Sequence, residues 1–139
     1  MEPGGARLKR LVVTGDDFGF SDGVNAAIVE AHEHGVLTSA SLMVTGDAST
    51  GAVAAARELP TLSVGLHLVL VSGRAVLPPP RIPHLVGPDG RFRDSPTAAG
   101  LVYRFHPAAR RELRAEIRAQ LERFRETGLP LAHVDGHLH

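Results

Sequence analysis

The fold is decided by residues 8–34, which read LKRLVVTGDDFGFSDGVNAAIVEAHEH. A short run of mostly apolar residues, 8–14, predicts a buried strand that ends at a glycine. The helical spacing of the apolar residues from about 22 to 34 predicts a helix. Residues 8–34 therefore predict a β-α unit in which the acidic pair Asp16 and Asp17 lies where the strand ends and the helix begins.

The rest of the chain repeats this alternation. Further strands are predicted at 36–44, 62–70 and 129–135, with helices at about 48–58 and from Pro107 to Gly128, and a proline-rich connection at 72–98. Strands that alternate with helices indicate a parallel sheet with right-handed crossovers. Ligands of such sheets bind at the carboxyl ends of the strands. We therefore expect an α/β fold in a single domain, residues 1–139.

The composition excludes several classes of protein. Lys plus Arg equals Asp plus Glu at 15 each, so no net charge attracts nucleic acid or an acidic membrane. The absence of cysteine excludes disulfides, zinc-thiolate sites and thiol nucleophiles. No signal peptide or membrane-length apolar run is visible, and a cytoplasmic location is expected. The Arg-rich stretch 104–125, which also holds Glu112, Glu116 and Glu122, is predicted to be a solvated helix face.

Acidic residues and histidines gather at the ends of three predicted strands. They are Asp16 and Asp17 after the first strand, His67 in the third, and His133, Asp135, His137 and His139 at and after the fourth. Because the carboxyl ends of parallel strands share one edge, we expect these side chains to meet. Imidazole and carboxylate suit zinc and other divalent cations, so the pattern predicts a metal-dependent hydrolase.

Each cluster also has a simpler interpretation. Adjacent acids after a strand often cap a helix, a single histidine in an apolar strand is often a core residue, and a His-rich end can be disordered. Against this, Gly65 allows close backbone approach beside His67, and strand parity places Asp135, His137 and His139 on one side. The coincidence of three clusters favours the metal site.

Four motifs in this order and at these separations resemble the YdjC-like carbohydrate deacetylases, which include the chitooligosaccharide deacetylases. They are TGDDFGFSDGVNAAI, TSASLMV, VGLHLVL and HVDGHLH. Three longer segments resemble the hopanoid-biosynthesis-associated HpnK branch: VGLHLVLVSGRAVLPP, GRFR and ARRELRAEIRAQLERFRETGLPLAHVDGH. The resemblance covers the chain from about Leu8 to His139.

The resemblance implies a metal-dependent amidase that removes acetyl groups from N-acetylated sugars. It implies a partial (β/α) barrel-like fold of the glycoside hydrolase and deacetylase type. Carried over by position, Asp17, His67 and His137 are the metal ligands and Asp16 is the general base. The expected cofactor is Mg²⁺, with Zn²⁺ as the alternative. A full barrel usually needs about 250 residues, so we expect the chain to be the N-terminal portion of the family's fold.

Further residues have less specific assignments. His139 is a candidate general acid, and Asp135 is expected to orient a histidine. Ser21 and Asn25 are predicted at the same rim, where they either bind substrate or cap the first helix. The expected partner is an N-acetylated sugar or glycolipid, and a second copy of the chain could cover an open sheet edge. Two alternatives stay open: a hydrolase of another amide or ester, and a non-catalytic metal- or sugar-binding fragment.

Overall fold

The computed structural model describes residues 9–138. Its strands and helices are β1 (Thr14–Phe18), α1 (Asp22–Glu33), β2 (Ser39–Leu42), α2 (Ser49–Glu58), β3 (Ser63–Leu68), a short 3-10 helix (Pro79–Arg81), α3 (Pro96–Phe105), α4 (Pro107–Glu126) and β4 (Val134–Gly136). The strands form one sheet in the order β1-β2-β3-β4, and every neighbouring pair is parallel. The predicted α/β fold with a parallel sheet and alternating helices is confirmed.

The main core lies between one face of the sheet and the helices. Alternation in β3 directs Leu66 to this face, away from His67, and Leu66 has no exposed surface. Leu66 belongs to the same core cluster as Ile28 of α1 and Phe124 of α4. Burial of each such side chain contributes about 1.5–3 kcal/mol to folding. The core therefore takes the apolar face of the sheet and leaves the opposite face to polar side chains.

The first strand differs from its prediction. It begins at Thr14 instead of residue 8 and includes the acidic pair. Leu11 and Val12 are 81% and 70% exposed, so the predicted buried strand 8–14 is wrong. Pairing with β2 starts only at Thr14, opposite Ser39. Residues 9–13, which precede Thr14, belong to no strand of the described sheet.

The predicted connection 72–98 is also different. It contains the 3-10 helix, and its last residues begin α3, a helix that the sequence interpretation missed. Ser95 caps α3 by accepting a hydrogen bond from the backbone N–H of Ala98. Ala99 is buried, and Val102 and Tyr103 at helical spacing from it pack against the core, whereas Leu101 and Phe105 are exposed. β2 and β3 are shorter than predicted, and β4 begins at Val134 instead of residue 129. Helices α1, α2 and α4 agree with prediction to within about two residues.

Tyr103 of α3 anchors the segment that follows β3. Its hydroxyl donates a 2.6 Å hydrogen bond to the carbonyl of Leu70. Burial raises the pKa of Tyr103 to about 12; Arg93 lowers it in part and Glu116 raises it further. The raised pKa means that folding favours the neutral phenol. The contribution of neutral Tyr103 to the free energy of unfolding is therefore complete below pH 10, the ordinary pKa of tyrosine. It is lost as the pH rises from 10 to about 12.

We accordingly expect the urea midpoint of the wild type to fall between pH 10 and 12 more steeply than that of Tyr103→Phe. The chain has one tyrosine and no tryptophan, so tyrosinate absorbance reports Tyr103 alone. Parallel pH profiles for the two proteins would contradict this assignment.

None of the helices in residues 9–138 combines the length and apolar character needed to cross a membrane.

Candidate metal centre

A β-bulge at the end of β1 directs both acids of the pair toward the polar face of the sheet. Gly15 pairs with Ala40 and Phe18 with Leu42, so two residues, Asp16 and Asp17, lie opposite one residue of β2. Asp17 adopts a φ of 62°, a left-handed conformation that costs a non-glycine residue about 1–2 kcal/mol. Backbone strain of this kind is found mainly at functional sites.

The turn after the bulge is held by Asn25 of α1. Its side-chain oxygen accepts a 2.7 Å hydrogen bond from the N–H of Gly19, and its side-chain nitrogen donates to the carbonyl of Ala48 at 3.0 Å. Phe18 is fully buried on the core side. Asn25 thus ties the β1 turn to the loop before α2 and fixes the backbone that carries the acids.

His67 lies at the centre of the cluster and is 3% exposed. Its Nε2 is 3.3 Å from Oδ1 of Asp17, and its Nδ1 is 2.7 Å from Oδ1 of Asp135. Both nitrogens face carboxylates, which can only accept, and the shorter separation is the one between Nδ1 and Asp135. With the Nδ1 proton donated to Asp135, Nε2 is the nitrogen that can bind a cation held by Asp17. This arrangement, in which an acid fixes the tautomer of an imidazole, is typical of metal-binding histidines.

His137 completes the cluster from the end of β4. Its backbone N–H donates to the carbonyl of Leu68 at 2.9 Å, which fixes it beside β3. Its Nδ1 is 2.9 Å from Oδ1 of Asp17, and its ring meets the His67 ring edge-on at a centroid distance of 5.4 Å. His137 is 8% exposed. Leu138 has a φ of 57°, so strand alternation does not continue beyond His137.

These three side chains fit a divalent cation. One ligand atom from each of Asp17, His67 and His137 lies within 4.8 Å of the other two. Ligands at about 2.1 Å from a metal in adjacent positions lie about 3 Å apart, close to the two separations from Asp17 Oδ1. A second group, Asp16, His67 and Asp135, also meets the 4.8 Å limit. It is the weaker candidate because Asp135 already accepts the proton of His67 Nδ1.

Asp135 acts on the site through hydrogen bonds. Burial raises its pKa, but hydrogen bonds from Ser41 and His67 outweigh this effect and lower the pKa below the ordinary value. The carboxylate therefore remains ionised at neutral pH, as the predicted orientation of a histidine requires. The 2.7 Å contact with His67 Nδ1 is consistent with that role, which stays a prediction.

Ser41 and His133 join the cluster without having been assigned a role from the sequence. The Ser41 hydroxyl donates to Asp135 Oδ2 at 2.6 Å and lies 3.1 Å from His133 Nε2 and 3.5 Å from Asp16 Oδ1. A Cβ on Gly65 would overlap the ring of His133, so this glycine makes room for the imidazole. The alternation of Ser39 and Ser41 with apolar residues in β2 could have predicted that Ser41 faces the polar side of the sheet.

The remaining predicted site residues have other positions. Ser21 caps α1 by accepting from the N–H of Val24 at 3.3 Å, and it also lines a cavity of about 320 Å³ at the rim. Asn25 is 7% exposed, and both its polar atoms bond to backbone, so its predicted contact with substrate stays a prediction. His139 lies outside the described residues. The structure therefore unites the predicted acids with His67 and His137.

The fold and this cluster define an α/β protein with a candidate metal centre at the carboxyl ends of its parallel strands. The family model for the YdjC-like proteins matches residues 10–139, and the chain belongs to that family.

Several relatives share this region. A carbohydrate deacetylase of Brevibacillus brevis is 46% identical over 130 residues, which cover 94% of this chain and 49% of the relative. A chitooligosaccharide deacetylase of Serratia marcescens is 35% identical, covering 94% and 50%. A solved structure from Enterococcus faecalis, provisionally named a cellobiose-phosphate cleavage protein, is 31% identical with a TM-score of 0.80, covering 91% of this chain and 47% of that one. The chain spans about half the length of the curated relatives it matches.

Proposed function

We propose that this chain carries the metal-dependent site of a carbohydrate N-deacetylase, a hydrolase of the amide bond between an acetyl group and an amino sugar. The observation that carries the proposal is the convergence of Asp17, His67 and His137 from three strand ends, with the carboxylate of Asp16 next to them. The deacetylase names of the relatives support the choice of bond.

The proposed ligands are Asp17 Oδ1, His67 Nε2 and His137 Nδ1. A divalent cation bound there supplies a Lewis acid for the carbonyl oxygen and lowers the pKa of water. Mg²⁺ was the first expectation from the resemblance, with Zn²⁺ as the alternative. Two imidazole nitrogens favour Zn²⁺, because Mg²⁺ binds mainly through oxygen.

Asp16 is the proposed general base. It is exposed, so a substrate can approach its carboxylate, whereas Asp17 is directed toward the two histidines. The base accepts the proton of the attacking water as the acetamide carbonyl becomes tetrahedral. The adjacent acids thus take separate roles, because the bulge gives them different neighbours.

The sugar is proposed to occupy the rim cavity of about 320 Å³, which is lined by the loops after β1, β2 and β3. Phe20 at its wall is 53% exposed and offers an apolar face to a sugar ring. Thr45 Oγ1 is buried there without a hydrogen-bond partner among the described residues. A sugar hydroxyl would satisfy that oxygen.

Two finer assignments rest on resemblance to the HpnK branch and on position. One is a link to hopanoid biosynthesis, in which the acetylated sugar belongs to a glycolipid. The other is His139 as the general acid that protonates the leaving amine. Both are proposals, and a substrate panel that includes a glycolipid separates the first from a free oligosaccharide.

The proposal is tested by metal content and by acetate release from an N-acetylglucosamine oligomer, an acetylated glycolipid and an acetyl ester. We expect His67→Ala to lose bound metal and acetate release together, because it removes a ligand that Asp135 orients. The matched control is His34→Ala, which changes an exposed histidine at the end of α1. An active His67→Ala protein would refute the scheme. Release from the ester alone would favour the alternative hydrolase.

A further inference from the structure

Helix α4 carries two polar side chains that are completely buried. Glu116 and Gln120 each have 0% exposed surface, although the sequence pattern predicted a solvated face for the Glu116 region. They lie one helical turn apart and point beneath the segment that follows β3. Burying a carboxylate and an amide is costly unless every polar atom is bonded, so their partners indicate what they hold in place.

Gln120 holds the residue directly after β3. Its Oε1 accepts from the N–H of Val69 at 3.0 Å, and its Nε2 donates to the carbonyl of Val69 at 2.8 Å. Both backbone groups of one residue are thereby bonded to one side chain. Gln120 takes the place of a neighbouring strand at the point where β3 ends.

Glu116 fixes the orientation of this amide. Its Oε1 accepts from Nε2 of Gln120 at 2.9 Å, and a carboxylate can only accept, so the nitrogen of Gln120 must face it. Glu116 also accepts from the N–H groups of Val76 and Leu77 at 2.8 and 2.9 Å. The pair therefore fastens both ends of the segment 69–77 to α4.

The bonded peptide is also the one that fixes His137. The carbonyl of Leu68 accepts the N–H of His137, and the N–H of the same planar peptide group belongs to Val69, which donates to Gln120. Rotation of this peptide group would break both bonds. His67 directly precedes Leu68 in β3, so the peptide couples α4 to both histidines of the metal centre.

We propose that Gln120 is a positioning residue of the metal centre, acting through the Leu68–Val69 peptide on His137 and His67. This inference rests on the proposed metal-dependent function. Gln120 touches neither the ligand atoms nor the substrate cavity, so its effect is on the spacing of the two imidazoles. Loss of its amide leaves the peptide group free to turn and the ligands less well arranged.

The test uses Co²⁺, whose visible absorption reports ligand geometry, with Gln120→Met as the variant that keeps length and removes the hydrogen bonds. We expect the Kd for Co²⁺ to rise by at least roughly 10-fold, the lower end of the effect of residues that orient ligands, and the absorption spectrum to change. Gln120→Asn keeps a shorter amide, which a bridging water can connect to the backbone of Val69. We therefore expect a smaller rise in the Kd for Co²⁺ than in Gln120→Met. If circular dichroism shows that Gln120→Met is unfolded, the Co²⁺ affinity and spectrum of Gln120→Asn test the proposal instead.

The control is Phe124→Leu, one turn further along α4, which is 1% exposed and weakens the core without touching the polar pair. It is expected to lower stability while leaving the Co²⁺ spectrum unchanged. Wild-type affinity and spectrum in both Gln120 variants would overturn the inference and leave the metal centre standing. An equal change in Phe124→Leu would also overturn it. Failure of the wild type to bind Co²⁺ would overturn the proposed function together with this inference.

Discussion

Asp16→Asn is expected to lower turnover by roughly 10²–10⁴-fold, the usual contribution of a general base, while leaving metal content unchanged. The amide keeps the size of the carboxylate and loses its capacity to accept a proton. Among residues 9–138 the hydrogen-bond partner of the Asp16 side chain is Ser41, at a long 3.5 Å, so little of the described structure depends on its charge. The measurement is steady-state acetate release together with metal analysis of the same preparation.

The informative comparison is Asp17→Asn. Asparagine tolerates the left-handed backbone of this position, so the substitution removes charge without adding strain. We expect it to lose metal, because Asp17 Oδ1 is the atom shared by His67 and His137. The control is Asp94→Asn, which changes an exposed acid shortly before α3 and should alter neither turnover nor metal content. Full turnover by Asp16→Asn, or loss of metal equal to that of Asp17→Asn, would contradict the division of roles.

Gly65→Ala is expected to destabilise the protein by about 2–3 kcal/mol, at the upper part of the range for overpacking. The added methyl group would overlap three ring atoms of His133, and one of them, Nε2, lies 3.1 Å from the Ser41 hydroxyl. Neither the strand backbone nor the ring can move without breaking the neighbouring hydrogen bonds. Urea denaturation of the two proteins measures the difference.

A double-mutant cycle identifies the cause. In a His133→Ala background the ring is absent, and we expect Gly65→Ala to cost less than about 1 kcal/mol there. The control is Gly100→Ala, where nothing lies within 4 Å and where alanine should stabilise α3 by about 0.5–1 kcal/mol. Additive effects of Gly65→Ala and His133→Ala would mean that the overlap is relieved elsewhere.

The order of strands and helices could be predicted because each unit carries its own periodicity. The α4 sequence has a clear apolar stripe and a proline in its first turn, and its limits were close to the prediction. The limits of β1 depend instead on where β2 begins to pair with it, which is a long-range property. The missed helix α3 has a buried face formed by Ala99, Val102 and Tyr103, but it begins at Pro96, inside the proline-rich stretch that favoured an irregular connection.

The candidate site shows a similar division. Asp17, His67 and His137 could be brought together from the sequence because parallel strands end at one edge. The bulge could not be predicted, since it is a shift in the register between β1 and β2, which depends on long-range pairing. Glu116 was assigned to solvent because charged neighbours surround it in sequence, whereas its burial depends on backbone donors 39 and 40 residues away.

The contact between Asp17 and His137 joins residues 120 positions apart. It links β1 and β4, the outer strands of the described sheet, which a flat sheet would hold about 14 Å apart. The contact therefore needs a curved sheet with all four strands in place. Closing so long a loop costs chain entropy, which the contacts of the intervening strands and helices must offset. A cation held between these residues would act as a reversible cross-link that closes most of the chain, and only a fully assembled sheet could retain it.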